Sequence, residues 1–115
     1  MKIIDEIVGK VTVLQPQGLL DFVAADSLKN KVKNCAMNGQ FNLVIDMSKV
    51  TLVDSSGMGS LVACLRVIKK EGGDIRIYGI KDQVRALFEL IRLHHIFEIF
   101  DSVSAAIESF QRPGK

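Results

Sequence analysis

Residues 50–70, VTLVDSSGMGSLVACLRVIKK, contain the change in periodicity that decides the fold. Three apolar or β-branched residues, Thr51, Leu52 and Val53, lead into Asp54. After Gly57 the apolar residues recur at the spacing of one helix face, namely Met58, Leu61, Val62, Leu65 and Ile68. The segment from Asp54 to Gly57 is therefore predicted to be a loop that leads into the N-terminus of a helix.

Two serines, Ser55 and Ser56, lie at this predicted helix start. Unpaired backbone N–H groups and the positive end of the helix dipole meet there, so an anion is stabilised. The plainest interpretation is that Asp54, Ser55 and Ser56 only cap the helix, because their oxygens accept those N–H groups. Gly57 and Gly59 favour a further role, because each costs roughly 1 kcal/mol relative to alanine inside a helix. Close approach of another backbone would explain these two glycines.

The face of this helix opposite the apolar stripe is small and partly apolar. It carries Ser60, Ala63 and Val67, with Arg66 and Lys70 beside them. A second helix packed over this face would explain its composition. A docking surface for a partner protein, next to the serine loop, would explain it equally well.

Short apolar runs bounded by glycine, proline or asparagine predict the strands of the remaining chain. They occupy residues 2–8, 10–15, 41–47 and 74–78, with an optional edge strand at 96–100. Pro16 and Gly18 are expected to end the second strand. The run Leu43-Val44-Ile45 does not alternate with polar residues, so its strand is predicted to be central and covered on both faces.

Helical spacing of apolar residues predicts three further helices. Asp21 is the candidate N-cap of the first, and Asp101 or Ser102 that of the third. The second is predicted over residues 81–93, with Asp82 near its start. The resulting order, β-β-α-β-α-β-α-(β)-α, predicts one α/β domain with helices packed on a mixed sheet. Residues 111–115 are expected to form a flexible tail.

Composition excludes several classes of protein. The chain has 115 residues, 48% of them hydrophobic and 24% charged, with a net charge of +2, which indicates one globular domain and no dedicated nucleic-acid binder. No apolar run approaches the ~18 residues of a membrane helix, and no signal peptide is visible. Cys35 and Cys64 are expected to be reduced, buried thiols of a cytoplasmic protein.

The residues of common active sites are missing from the sequence. A serine nucleophile needs a base, and the two histidines, His94 and His95, are expected in a turn; the G-x-S-x-G motif does not occur. The glycine pair of the serine loop is too short for a dinucleotide fingerprint and lacks the P-loop lysine. No third carboxylate accompanies Asp46 and Asp54 at a spacing suited to a metal. The sequence therefore predicts no enzyme, no metal and no cofactor.

Several segments together resemble the STAS domain and, more narrowly, the bacterial anti-sigma factor antagonists. They are Gly18-Leu19-Leu20-Asp21, residues 42–46, Leu52 to Gly59, the Gly72-Gly73 turn and Val84 to Phe88. The resemblance covers the chain from about Ile3 to Phe110. It implies a single STAS-like domain with a mixed sheet of four or five strands and about four helices.

The resemblance also implies a phosphorylation site. In that family a partner kinase, which is also an anti-sigma factor, phosphorylates the first serine after the aspartate. The corresponding residue here is Ser55, and the loop around it comprises Asp54, Ser56, Gly57, Met58 and Gly59. Asp21 is expected near this loop, and the predicted partner contacts are Asp21, Ser60, Ala63, Arg66 and Val67.

Partner switching is the mechanism that the resemblance implies. The unphosphorylated antagonist binds a GHKL-type anti-sigma factor kinase and thereby frees a sigma factor, and a PP2C-type serine phosphatase resets the phosphorylated form. No direct contact with nucleic acid and no membrane insertion are expected. Some STAS domains instead serve lipid-transport or sensory complexes without such a kinase. The alternative is therefore a scaffold subunit that is never phosphorylated.

Overall fold

Strands and helices alternate along the chain in the computed structural model, which describes residues 1–111. The strands are β1 (Lys2–Val8), β2 (Val11–Leu20), β3 (Asn42–Asp46), β4 (Val50–Val53), β5 (Asp74–Tyr78) and β6 (Ile99–Phe100). The helices are α1 (Phe22–Met37), α2 (Ser55–Lys70), α3 (Asp82–Leu90) and α4 (Val103–Ser109). A 3₁₀ turn, Leu93–His95, follows α3. Every helix within residues 1–111 is too short or too polar to span a lipid bilayer.

The long strand β2 organises a six-stranded sheet whose order is β1-β2-β3-β5-β6, with β4 also paired to β2. β1 is antiparallel to β2, and the other neighbours are parallel. Residues 12–14 of β2 pair with β3, whereas residues 18–20 pair with β4. The predicted mixed α/β fold with four helices is confirmed. The sheet has one strand more than the four or five expected.

The prediction that Pro16 and Gly18 end the second strand is wrong. Pro16 pairs with Ile3 of β1, and β2 continues to Leu20. The β3 ladder stops at Leu14 and the β4 ladder starts at Gly18, so at Pro16 β2 has a neighbour on one side only. A proline is tolerated at such an edge position because the missing N–H need not join a second ladder.

Three other boundaries differ from prediction. Residues 50–53 form a strand of their own, β4, rather than a simple lead into the helix. The predicted helix over residues 81–93 ends at Leu90, and Arg92 adopts a left-handed conformation with φ of 64°. The predicted edge strand over 96–100 is reduced to two residues, Ile99 and Phe100. Of the predicted tail, Gln111 lies in a turn and 112–115 lie outside the described residues.

The sheet carries a hydrophobic core on each face. Leu43 and Ile45 of β3 belong to the larger core, which also contains buried residues of α1, α2 and α3. Val44 points to the other face and packs in a smaller core with Ala106 of α4. The prediction that this strand is central and covered on both faces is therefore confirmed.

Both cysteines are buried free thiols, as the sequence predicted. Burial raises the pKa of Cys35 in α1, and it raises the pKa of Cys64 in α2 to about 12. A protonated thiol is uncharged, so the apolar surroundings favour it over the thiolate. The two side chains therefore act as small hydrophobic residues of the helix layer.

The pKa of Cys64 predicts that the domain loses stability in alkali. The unfolded chain ionises this thiol near its ordinary pKa of 9.0, whereas the folded chain keeps it protonated to about 12. The stabilising contribution of the protonated Cys64 thiol is therefore complete below pH 9. Above pH 9 the free energy of unfolding falls, by on the order of 1 kcal/mol at pH 10. Urea unfolding at pH 8 and pH 10 measures this loss. Cys64→Ala should lose less stability between the two pH values, and equal losses would contradict the assignment.

Candidate functional site

Two parallel strands end side by side, and each leads through an aspartate into a helix. Leu20, the last residue of β2, pairs with Val53, the last residue of β4. The backbone N–H of Asp54 donates a hydrogen bond to the carbonyl of Leu20 at 3.2 Å. Asp21 and Asp54 therefore lie next to one another at the carboxyl ends of the strands, where open α/β folds usually place their functional sites.

Both aspartates are N-caps. Asp21 Oδ1 accepts a hydrogen bond from the N–H of Ala24 at 3.0 Å, as predicted. Asp54 Oδ1 accepts one from the N–H of Gly57 at 2.8 Å. Each bond satisfies an amide that a helix cannot pair internally. The capping role considered for Asp54 and both serines thus belongs to Asp54.

Ser55 and Ser56 are the first two residues of α2 rather than its caps. Ser55 is exposed and Ser56 is half-buried. Because Asp54 already caps the helix, the hydroxyl of Ser55 is available for chemistry at the positive end of the α2 dipole. The structure places it at an accessible position, directly beside the paired ends of β2 and β4.

Gly57 is buried where the first turn of α2 crosses the end of β2. A Cβ at Gly57 would lie 2.2 Å from the carbonyl oxygen of Leu20 and 2.8 Å from Cγ1 of Val53. The close backbone approach suggested by the sequence therefore occurs at this glycine. No such approach occurs at Gly59, which is exposed. Apart from the neighbouring turns of α2, no atom of residues 1–111 lies within 4 Å of the position that a Cβ on Gly59 would take.

The predicted partner-binding face of α2 is only partly accessible. Ser60 is only 3% exposed, and its hydroxyl donates to the carbonyl of Gly57 at 2.6 Å. The prediction that Ser60 contacts a partner is therefore contradicted by its burial. Ala63 and Val67 are half-buried and share a groove with residues of α1, and Arg66 is exposed. The packing of α1 beside α2, which is the helix-packing explanation offered by the sequence, accounts for the small residues of this face.

An apolar pocket beside Ser55 was missed by the sequence analysis. It has a volume of about 190 Å³ and lies between the start of α2 and α3. Its lining residues are Val53, Asp54, Ser55, Met58, Leu87 and Ile91. The available signal was the apolar stripe of the helix predicted over residues 81–93. Val84 and Phe88 of this stripe are buried, while Leu87 and Ile91 are 36% and 48% exposed.

Further apolar side chains are exposed near these strand ends. Leu19 of β2 and Leu52 of β4 are paired in register, and both are about half exposed. Phe22 and Val23, in the first turn of α1, are more than two-thirds exposed. Exposed apolar clusters at one end of a sheet are typical of protein interaction sites.

Asp46, His94 and His95 are the other residues that the sequence analysis considered for metal binding or catalysis. Asp46 accepts hydrogen bonds from Gln15 Nε2 and from the N–H of Ser48, each at 2.9 Å, so its carboxylate is engaged within the sheet. His94 and His95 are exposed in the 3₁₀ turn. Within residues 1–111, no group of three or more His, Cys, Asp and Glu side chains is placed to hold a metal ion.

Sequence comparison relates the chain to a known domain. The family profile described as the STAS domain matches residues 2–106. A Thermotoga maritima protein, provisionally classed as an anti-sigma factor antagonist, is 29% identical over 108 residues, which cover 93% of this chain and 96% of the relative. The anti-sigma-B factor antagonist of Bacillus subtilis is 29% identical over 82 residues, 71% of this chain and 74% of that protein.

Structural comparison gives the same relationship. A crystal structure of a Thermotoga maritima protein with the same provisional class has a TM-score of 0.90 at 27% identity and covers 96% of this chain and 95% of that chain. The phosphorylated form of the Bacillus cell-fate determinant SpoIIAA shares the fold, with a TM-score of 0.74 at 19% identity over 95% of this chain and 99% of that one. The fold implied by the sequence resemblance is thus confirmed.

Proposed function

This chain belongs to the STAS domain family, and from that premise we propose that it is an anti-sigma factor antagonist switched by phosphorylation of Ser55. The unphosphorylated form binds an anti-sigma factor that is also a GHKL-type serine kinase, and the phosphorylated form releases it. A PP2C-type phosphatase restores the first form in the cytoplasm. The observation that carries the proposal is that Ser55 is exposed at the first position of a helix already capped by Asp54.

The relatives support the regulatory part of this proposal, because two of them are classed as anti-sigma factor antagonists. In this role the domain is a binding partner and a substrate of a kinase, and it needs no catalytic residues. Its apolar surfaces near Ser55 fit a protein partner better than a small polar substrate.

The start of α2 can accept a phosphate without rearranging. A phosphoserine adds roughly −1.5 to −2 charges at neutral pH. The positive end of the helix dipole offsets part of that charge, and the first-turn amides of Ser55 and Ser56 have no partner inside the helix. Asp54 binds the amide of Gly57 and therefore does not compete for those two groups. The phosphate therefore weakens the contact with the partner and does not lower the stability of the domain.

Phosphorylation by purified kinase tests the proposal. We expect a GHKL-type kinase from the same organism, with Mg²⁺ and ATP, to add one phosphate to the chain, detected by intact mass and located by fragmentation. Ser55→Ala should take up no phosphate, whereas Ser56→Ala should be modified like the wild type. A phosphate on Ser56, or none with any such kinase, would contradict the proposal. The second outcome is the one expected of a scaffold subunit.

A further inference from the structure

We propose that the apolar pocket beside Ser55 receives one apolar side chain of the kinase, and that this side chain anchors the complex. The inference rests on the proposed function of Ser55 and adds the contact that phosphorylation disrupts. The pocket is the one of about 190 Å³ between the start of α2 and α3.

The size and chemistry of the pocket suit an aliphatic or aromatic side chain. An apolar cavity of roughly 150 Å³ is large enough to hold benzene, so this pocket can accept a side chain such as leucine, methionine or phenylalanine. Its polar lining comes from Asp54 and Ser55 alone. The carboxylate of Asp54 is already bound to the amide of Gly57. A buried polar group of the partner would therefore find few hydrogen-bond partners.

The pocket is open on the side of α3 in the described part of the chain. Val84 and Phe88 of α3 are buried in the core, whereas Leu87 and Ile91, which line the pocket, keep 36% and 48% of their surface exposed. Hydrophobic surface of this kind gains free energy when another molecule covers it. The occupant is not supplied by residues 1–111.

The position of Ser55 identifies the occupant. Ser55 lines the pocket itself, so a kinase that brings its active site to the Ser55 hydroxyl must also cover the pocket. An apolar side chain of the kinase inserted there would place the hydroxyl for phosphate transfer and would be held by Met58, Leu87 and Ile91. Once the phosphate is attached, a strongly hydrated dianion stands at the edge of the same pocket, and the side chain can no longer enter without desolvating it.

Three matched substitutions in or next to α3 test the pocket against the kinase that phosphorylates Ser55. Leu87→Gln and Ile91→Gln place an amide in the lining, and Leu90→Gln is the control, because Leu90 is 77% exposed and does not line the pocket. We expect the two lining variants to weaken kinase binding by at least about tenfold and the control by less than about threefold, measured by calorimetry. All three should keep the thermal midpoint of the wild type.

The outcomes separate this proposal from the proposed function. Wild-type binding by both lining variants, with Ser55 still phosphorylated, would overturn the pocket and leave the function intact. Equal weakening by Leu90→Gln would also overturn it, because the contact would then be a diffuse apolar surface. In the phosphorylated protein, Leu87→Gln should cause no additional loss of affinity, since the pocket is already closed to the partner.

A probe molecule tests the pocket without any kinase. Benzene added to the wild-type protein should shift the Met58 methyl resonance in NMR spectra, and Leu87→Gln should reduce the shift while Leu90→Gln should not. An unshifted Met58 would overturn the pocket even if Ser55 is phosphorylated. If the wild-type protein forms a homodimer and Leu87→Gln dissociates it, the occupant of the pocket is a second copy of the chain and not the kinase, and the proposal is overturned.

Discussion

Replacing Gly57 by alanine is expected to destabilise the domain by about 3 kcal/mol, a large fraction of the roughly 5–15 kcal/mol by which small domains are stable. The new Cβ would lie 2.2 Å from the carbonyl oxygen of Leu20, a backbone atom that cannot rotate away. It would also lie 2.8 Å from Cγ1 of Val53. Relief requires α2 to move away from the sheet, and this would stretch the hydrogen bond between the N–H of Asp54 and Leu20.

Gly59→Ala is the matched control for this prediction. Gly59 lies two residues further along the same helix, and a Cβ there would meet no atom of another element within 4 Å in the described chain. Because glycine costs up to about 1 kcal/mol relative to alanine in a helix, this variant should be as stable as the wild type or more stable. Urea unfolding followed by circular dichroism measures both variants. Similar midpoints for the two would show that the close approach at Gly57 does not limit stability.

The contrast between the two glycines also bears on function. Gly57 holds the first turn of α2 against the end of β2, and thereby fixes the place of Ser55 relative to the strand ends. Gly59 is exposed and has no such role within residues 1–111. A loss of kinase binding in the stable Gly59→Ala variant would therefore report on the partner and not on the fold.

Local patterns in the sequence predicted the elements that form the site. The switch from a β-branched run to helical spacing places the helix start between Asp54 and Met58, and the structure begins α2 at Ser55. Capping chemistry predicted Asp21 correctly, because an aspartate before an apolar-periodic segment is a local signal. The apolar run at residues 43–45 predicted a central strand, because strands covered on both faces lose their alternation.

The features that depend on which elements become neighbours were not predictable in the same way. Ser60 was placed on a contact face because it lies opposite the main apolar stripe, but α1 packs beside α2 and Ser60 bonds back to Gly57. Pro16 looked like a strand end, because the sequence does not show that β2 changes partners at that point. The pocket beside Ser55 arises from the distance between α2 and α3, which no periodicity encodes.

The second large effect concerns the Ser55 phosphate, which we expect to lower the affinity for the kinase by about 100-fold, or about 3 kcal/mol, while leaving the fold intact. The free domain gains a charge where the α2 dipole and the first-turn amides favour one, so its thermal midpoint should not fall. In the complex the same charge must lose water against an apolar contact, lined by Met58, Leu87 and Ile91. The favourable interaction with the helix acts in the free domain, whereas the desolvation cost acts in the complex. We therefore expect the affinity for the kinase to fall and the stability of the domain to stay the same.

Calorimetric titration of phosphorylated and unphosphorylated protein with the kinase, together with thermal unfolding of each form, checks this expectation. Ser55→Asp should reproduce part of the loss, because it carries less charge than a phosphate. Ser104→Asp is the matched control, since Ser104 is also an exposed serine in the first turn of a helix but lies on α4, against the opposite face of the sheet. It should bind like the wild type. If the phosphorylated form loses binding only because it unfolds, Ser55 controls the fold and not the contact, and the switch must then be sought in a change of structure.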